Sequence, residues 1–126
     1  MGHTNADTLR KAYDAFSRGD LEGIPFADDI VFHIPGKSPM AGDYRGKAAV
    51  FGFLGQVMER TGGSFHLEVH DIAASDEHAV GLTVHSGQRG GKAGGYNSVH
   101  VWHVKDGRLV EFFEFPEQPA FDDFWA

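Results

Sequence analysis

Three ionisable side chains sit inside otherwise apolar, strand-like segments: His33 in DDIVFHIPG, His100 in YNSVHVWHV and Glu114 in GRLVEFFEFP. Polar groups in such runs are costly unless they bond to one another or gather at a pocket where chemistry or binding offsets the cost. An imidazole beside a carboxylate is general-base machinery, because the acid fixes the tautomer or the charge of the ring. His33, His100 and Glu114 are therefore candidate acid-base residues. The same residues could equally satisfy each other in a core and act on nothing. Two histidines and one carboxylate also make a metal-ligand set, but no HxxxH-type spacing supports it, and no metal or organic cofactor is expected. Tyr13 joins the candidates from the apolar stripe of a helix, where a tyrosine is either core or a hydroxyl presented to a pocket.

Strand alternation puts His33 on the face of Val31 and Pro35, His100 on that of Ser98 and Trp102, and Glu114 on that of Val110 and Phe112. Each face is partly apolar, so alternation alone does not say which points inward. His66, His70 and His85 alternate with Leu67, Val69 and Val84 and are expected on the outer face of a sheet, as is Thr83. His103 lies opposite His100 by parity, His78 falls at a turn, and His3 belongs to the terminus. The glycine-rich stretch GQRGGKAGG is not a phosphate cradle, because a strand and not a helix N-terminus follows it; it reads as a flexible hairpin.

A chain of 126 residues suits one domain that buries roughly 65 to 70% of its unfolded surface. With 41% hydrophobic and 23% charged residues, a disordered or fibrous chain is excluded. Eleven of the sixteen aromatic residues are Phe, so the core is aromatic. The formal charge of -7, with no basic cluster longer than Arg10 and Lys11, argues against nucleic acid and anionic membrane as partners. Cysteine is absent, which removes thiolate chemistry and fits a reducing compartment. No apolar run approaches the ~20 residues of a membrane span. The expected location is the cytoplasm.

Positioning these side chains requires helices first and strands after. Thr4 with Asp7 reads as a cap, and Leu9, Ala12, Tyr13 and Phe16 form a helical stripe that stops near Gly19. A short helical turn fits DLEGIPFADD, and a first strand fits Ile30 to Pro35. GKSPMAGDYRG is a loop with at most a short strand. From Lys47 to Arg60, Val50, Phe53, Leu54, Val57 and Met58 give a second stripe, ended by Gly62 and Gly63. Gly52 and Gly55 inside it suggest close packing on a neighbour. SFHLEVHDIA, HAVGLTVHSG, GYNSVHVWHV and RLVEFFEF then make an antiparallel meander, with turns at Ser75-Asp76, Gly87 to Gly95 and Asp106-Gly107. The class is α+β.

The order helix, FADD, strand, PG...P..G..YRG, helix and four strands ending in VHVWHVKDGRLVEFFEF resembles the SnoaL-like branch of the nuclear-transport-factor-2-like superfamily, which includes ketosteroid isomerases. The resemblance covers about Leu9 to Pro116, leaving an aromatic tail from 117 to 126, and implies one domain over residues 1–126. It implies a curved antiparallel sheet wrapped as a cone around helices (cystatin-like α+β barrel), an apolar pocket inside, and a homodimer through the sheet's outer face. By the same resemblance His33 stands where ketosteroid isomerases carry their general-base Asp, His100 where they carry the protonated oxyanion-hole Asp, and Tyr13 where they carry the oxyanion-hole Tyr. Polyketide cyclases of this branch place an acid-base Asp at or near His100. The Arg and Asp pair of limonene-epoxide-hydrolase relatives has no counterpart in YNSVHVWHV. The implied pocket is lined by Tyr13, His33, Phe53, Trp102 and Phe112 around His100 and Glu114, and takes a small apolar or carbonyl-containing molecule. The implied chemistry is proton transfer next to a carbonyl, with His33 as base and His100 and Tyr13 stabilising the enolate; the alternative is a non-catalytic ligand-binding or accessory domain. The tail, with Phe121, Phe124 and Trp125, either closes the pocket or docks on a partner subunit.

Overall fold

The first apolar stripe becomes helix α1, Thr4–Ser17, in the computed structural model, which describes residues 3–126. Its cap is His3 and not Thr4: the His3 ring Nδ1 accepts from the Asn5 N–H at 3.0 Å, satisfying a donor that the first turn leaves free. Leu9, Ala12 and Tyr13 face inward and are buried. A single 3-10 turn, Leu21–Gly23, is held by Asp20 accepting from the Gly23 N–H.

Strand β1 spans Phe26–Ile34, four residues earlier than the expected start, because Phe26 already pairs with Leu109 before a register shift that leaves Asp28 and Asp29 exposed. The loop after it contains β2, Gly42–Arg45. Helix α2 is Lys47–Arg60, with Val50, Phe53 and Val57 buried and Met58 at the surface. Gly62 and Gly63, both at positive φ, end it. Gly52 and Gly55 do not mark close packing: a Cβ at either would meet nothing within 4 Å.

The meander follows as β3 (His66–Ala74), β4 (His78–Arg89), β5 (Lys92–Lys105) and β6 (Arg108–Pro116), with a last helix α3 (Ala120–Trp125). One six-stranded sheet forms in the order β2-β1-β6-β5-β4-β3. Its pairs are antiparallel except β1 with β6, which is parallel because the chain crosses through α2 and the meander before returning beside β1. Asp106 and Gly107, with φ of 52° and 73°, make the tight turn that their sequence predicts.

The glycine-rich stretch is the hairpin that its sequence predicts, and it lies within the sheet. The ladder runs on through Gly87↔Gly94 to Arg89↔Lys92 and turns at Gly90-Gly91. Its glycines make room for α3: a Cβ at Gly94 would lie 3.2 Å from the Phe124 ring. Arg89 Nη1 donates to the Phe124 and Ala126 carbonyls at 2.8 and 2.7 Å, and Trp125 Nε1 donates to the Tyr96 hydroxyl at 3.0 Å. The aromatic tail is thereby fastened to β4 and β5. Among the described residues no helix is long and apolar enough to cross a membrane.

Candidate functional site

Parity on β5 turns Ser98, His100, Trp102 and Val104 to the inner face, where all four are buried. Residues directly opposite in neighbouring strands share a face. Register therefore brings Glu114 beside His100, Phe112 beside Trp102 and Phe32 beside Phe112. Helix α1 adds Tyr13 and Phe16, α2 adds Phe53 and Val57, and α3 closes the group with Phe121 and Trp125. Together they enclose a cavity of about 80 Å³, several times the ~10–15 Å³ that one water needs. Its wall is aromatic and aliphatic except at one end.

At that end a continuous hydrogen-bonded run begins with Trp102. Its Nε1 donates to the Tyr13 hydroxyl oxygen at 3.2 Å, and Tyr13 Oη and His100 Nδ1 are bonded at 2.7 Å. His100 Nε2 donates to Glu114 Oε2 at 3.2 Å, and Ser98 Oγ donates to the same oxygen at 2.9 Å. Both of Glu114's hydrogen bonds fall on Oε2, so Oε1 is bare. Burial alone would raise the Glu114 carboxyl; the hydrogen bond and charge of His100, helped by His85 and Ser98, outweigh it and hold the group below its ordinary value. Tyr13 is raised well above the ordinary tyrosine range, chiefly by burial and against the Trp102 hydrogen bond, so it stays a neutral donor.

Gly81 sits opposite His100, and a Cβ there would come within 2.5 Å of the Tyr13 hydroxyl. Its bare backbone is what lets Tyr13 reach His100. A lone glycine inside the apolar strand HAVGLTV is the sequence signal that could have marked this close approach.

His33 is not part of the group. It pairs with Asp43 on β2 and Phe113 on β6, both on the outer face, while Phe32 takes the inner one. Its ring lies on Phe113 at 4.5 Å, Nδ1 donates to Asp43 at 2.8 Å, and Nε2 donates to Glu111 at 2.6 Å. Two ring nitrogens on two carboxylates describe an imidazolium. Burial works against that charge, but the hydrogen bonds to Glu111 and Asp43 outweigh it and raise the pKa. His103 is outward as expected, with its Nδ1 3.1 Å from the other Glu111 oxygen.

His85 and Thr83 also differ from expectation, in the opposite direction. The register pairs His85 with Leu67 rather than with His66, so His85 faces the cavity with Leu67 while His66 and His70 stay exposed. Thr83 is buried beneath it, 2.8 Å from His85 Nε2. Burial first, and the charge of His100 second, push the His85 pKa down to about 3. The outer face carries an exposed apolar patch of Leu82, Val84, Val99 and Phe115.

Residues 9–112 match the SnoaL-like domain. An uncharacterized protein of Mycobacterium tuberculosis is 30% identical over 124 residues, 95% of each chain. Among solved structures, Bal32a from a soil-derived mobile gene cassette is 32% identical with a TM-score of 0.93 over 98% of this chain and 97% of that one. A protein of unknown function with a cystatin-like fold from Xanthomonas campestris is 28% identical, with a TM-score of 0.89 over 100% and 99%.

Proposed function

The chain belongs to the SnoaL-like domain family, within the nuclear-transport-factor-2-like superfamily, and from that premise we propose an enzyme that moves a proton at a carbon next to a carbonyl, of isomerase or polyketide-cyclase type. The observation that carries this reading is the run Trp102, Tyr13, His100, Glu114 at the single polar end of an apolar cavity. When the pair is charged, His100 donates from Nε2 to Glu114 and from Nδ1 to the Tyr13 oxygen. Tyr13, already accepting from Trp102, then has its own proton free for a substrate carbonyl. As the α-carbon loses its proton, charge grows on that carbonyl oxygen, where a buried, pre-aligned donor is worth most. The bare Oε1 of Glu114 is the proton acceptor within the same end of the cavity. Returning the proton elsewhere gives isomerisation; attack of the enolate carbon on a second carbonyl gives cyclisation. Phe53, Trp102 and Phe112 hold the apolar body of a compact substrate.

One observation favours a second reading, a non-catalytic ligand-binding or accessory domain: both ring nitrogens of His100 are already bonded within the protein. Exchange of α-protons of small cyclic ketones in heavy water, followed by NMR, separates the two. The enzymatic reading expects exchange by the wild type and a fall of roughly 100-fold or more in His100→Asn. Ketones that bind without exchanging would leave the accessory reading in its place.

The same reading extends to assembly and place. The exposed apolar patch of Leu82, Val84, Val99 and Phe115 suits a two-fold homodimer through the outer face of the sheet. A cytoplasmic location is proposed for this cysteine-free chain.

A further inference from the structure

His85 is the titratable group of the cavity that proton transfer leaves idle. Thr83 has one hydroxyl proton, which goes to the Ser98 carbonyl at 2.9 Å, so its oxygen accepts from His85 Nε2 at 2.8 Å. That leaves His85 Nδ1 buried with no partner. No hydrogen bond at Nδ1 therefore fixes the tautomer, and the ring can free Nε2 for a ligand by shifting its proton to Nδ1. Two further ligand atoms lie near its other nitrogen. His85 Nε2 is 3.9 Å from Glu114 Oε2, and His100 Nε2 is 3.2 Å from the same atom. One ligand atom from each of the three side chains lies within 4.8 Å of the others. Around an ion with bonds of ~2.0–2.1 Å, tetrahedral ligands stand ~3.3 Å apart, so these spacings need only side-chain adjustment.

We propose that His85, His100 and Glu114 form a site for one first-row divalent cation, two imidazoles and a carboxylate, with the remaining position open to the cavity. The support around the ligands is of the kind such sites use: Tyr13 holds the far nitrogen of His100, and Ser98 holds Glu114. For His85 the ion replaces the Thr83 contact, and the ring proton moves to Nδ1. The carboxylate offsets part of the ion's charge, which an apolar cavity could not do alone. An ion here displaces the Nε2 proton of His100 and breaks its hydrogen bond to Glu114. Loaded and proton-transferring states therefore exclude each other, and the cation would act as an inhibitor. This inference is independent of the proposed activity, since it rests on His85.

Calorimetric titration of chelator-treated, dialysed full-length protein with Zn²⁺ tests it, with the visible absorption of Co²⁺ reporting coordination. The expected result is one equivalent bound, a four- or five-coordinate Co²⁺ band, higher thermal stability, and affinity reduced by on the order of 100-fold in both His85→Gln and Glu114→Gln. The outer His33, Glu111 and His103 group is the rival binder, so His103→Ala is the control and should leave the affinity unchanged. Absence of saturable binding up to millimolar Zn²⁺ would overturn the site. So would binding that survives in His85→Gln and is lost in His103→Ala. Should His85→Gln not fold, Glu114→Gln and the Co²⁺ band of the wild type decide. Ketone exchange by the metal-free protein is read separately, so either idea can fail without the other.

Discussion

Gly81→Ala should displace Tyr13 from His100 without touching either residue. Gly81 is not among the glycines at positive φ, so alanine costs nothing in the backbone. The cost is steric: the new Cβ would stand 2.5 Å from Tyr13 Oη and 3.1 Å from two ring carbons, against an ordinary contact of about 3.4 Å. Tyr13 must retreat by about 0.9 Å, and its ring cannot bend away, being buried on α1. A bond of 2.7 Å to His100 Nδ1 then stretches beyond hydrogen-bonding range. Overpacking of this kind costs ~1–3 kcal/mol and the lost hydrogen bond ~0.5–1.5. Alanine returns ~0.5 kcal/mol by restricting the unfolded chain, so the net loss is about 1–4 kcal/mol. Urea unfolding of Gly81→Ala, Tyr13→Phe and the double variant measures it. Removing the hydroxyl relieves the shortest contact, so the double variant should be more stable than the sum predicts by ~1–2 kcal/mol. Additivity within ~0.5 kcal/mol would refute the claim that Gly81 exists to admit the Tyr13 hydroxyl.

Three further outcomes follow from particular residues. The His33 pKa is raised above the ordinary ~6.5, so the cluster's contribution to stability is full below that value and lost as pH rises through the folded one. The stability gap between wild type and His33→Asn should therefore shrink from pH 5.5 to pH 9; a gap that widens contradicts the assignment. Leu109→Ala, at a side chain with no exposed surface, should cost ~2–5 kcal/mol in chemical denaturation, and a loss below ~1 would mean the site collapses freely. Phe115 is 58% exposed in the single chain, so Phe115→Asp should change monomer stability by no more than ~0.5 kcal/mol. By light scattering it should convert a dimer into a species of 13.8 kDa; a wild type already at that mass rules out the dimer.

The two long helices and the four-strand meander were legible because the stripes of Leu9 to Phe16 and Val50 to Met58 have helical spacing and the runs after Gly63 alternate; α3 was not, since six residues are too few to show a helical period. The pocket end formed by Tyr13, His100 and Glu114 was legible in part for a related reason, since ionisable groups in apolar strands need partners. What alternation could not supply is register. His33 and His85 exchanged places because facing depends on which residue lies opposite: Asp43 and Phe113 draw His33 outward, and Leu67 draws His85 inward. Each of those pairs joins residues at least ten apart in the chain. Gly81 stood in the sequence as a glycine within a strand, yet its meaning needed Tyr13 beside it. The glycine-rich hairpin was legible as a hairpin, but not why it is glycine-rich, because that depends on α3, which packs on it from far along the chain.

The carbonyl stretch of an isotope-labelled cyclic ketone bound in the cavity reports most directly on whether Tyr13 donates to substrate. Infrared difference spectra of the wild type should show the band shifted to lower frequency than in a dry apolar solvent, because a hydrogen bond polarises the carbonyl. In Tyr13→Phe, with the ketone still bound, the band should return to the apolar-solvent position. A wild-type band already at that position, with the ketone demonstrably in the cavity, would contradict the account.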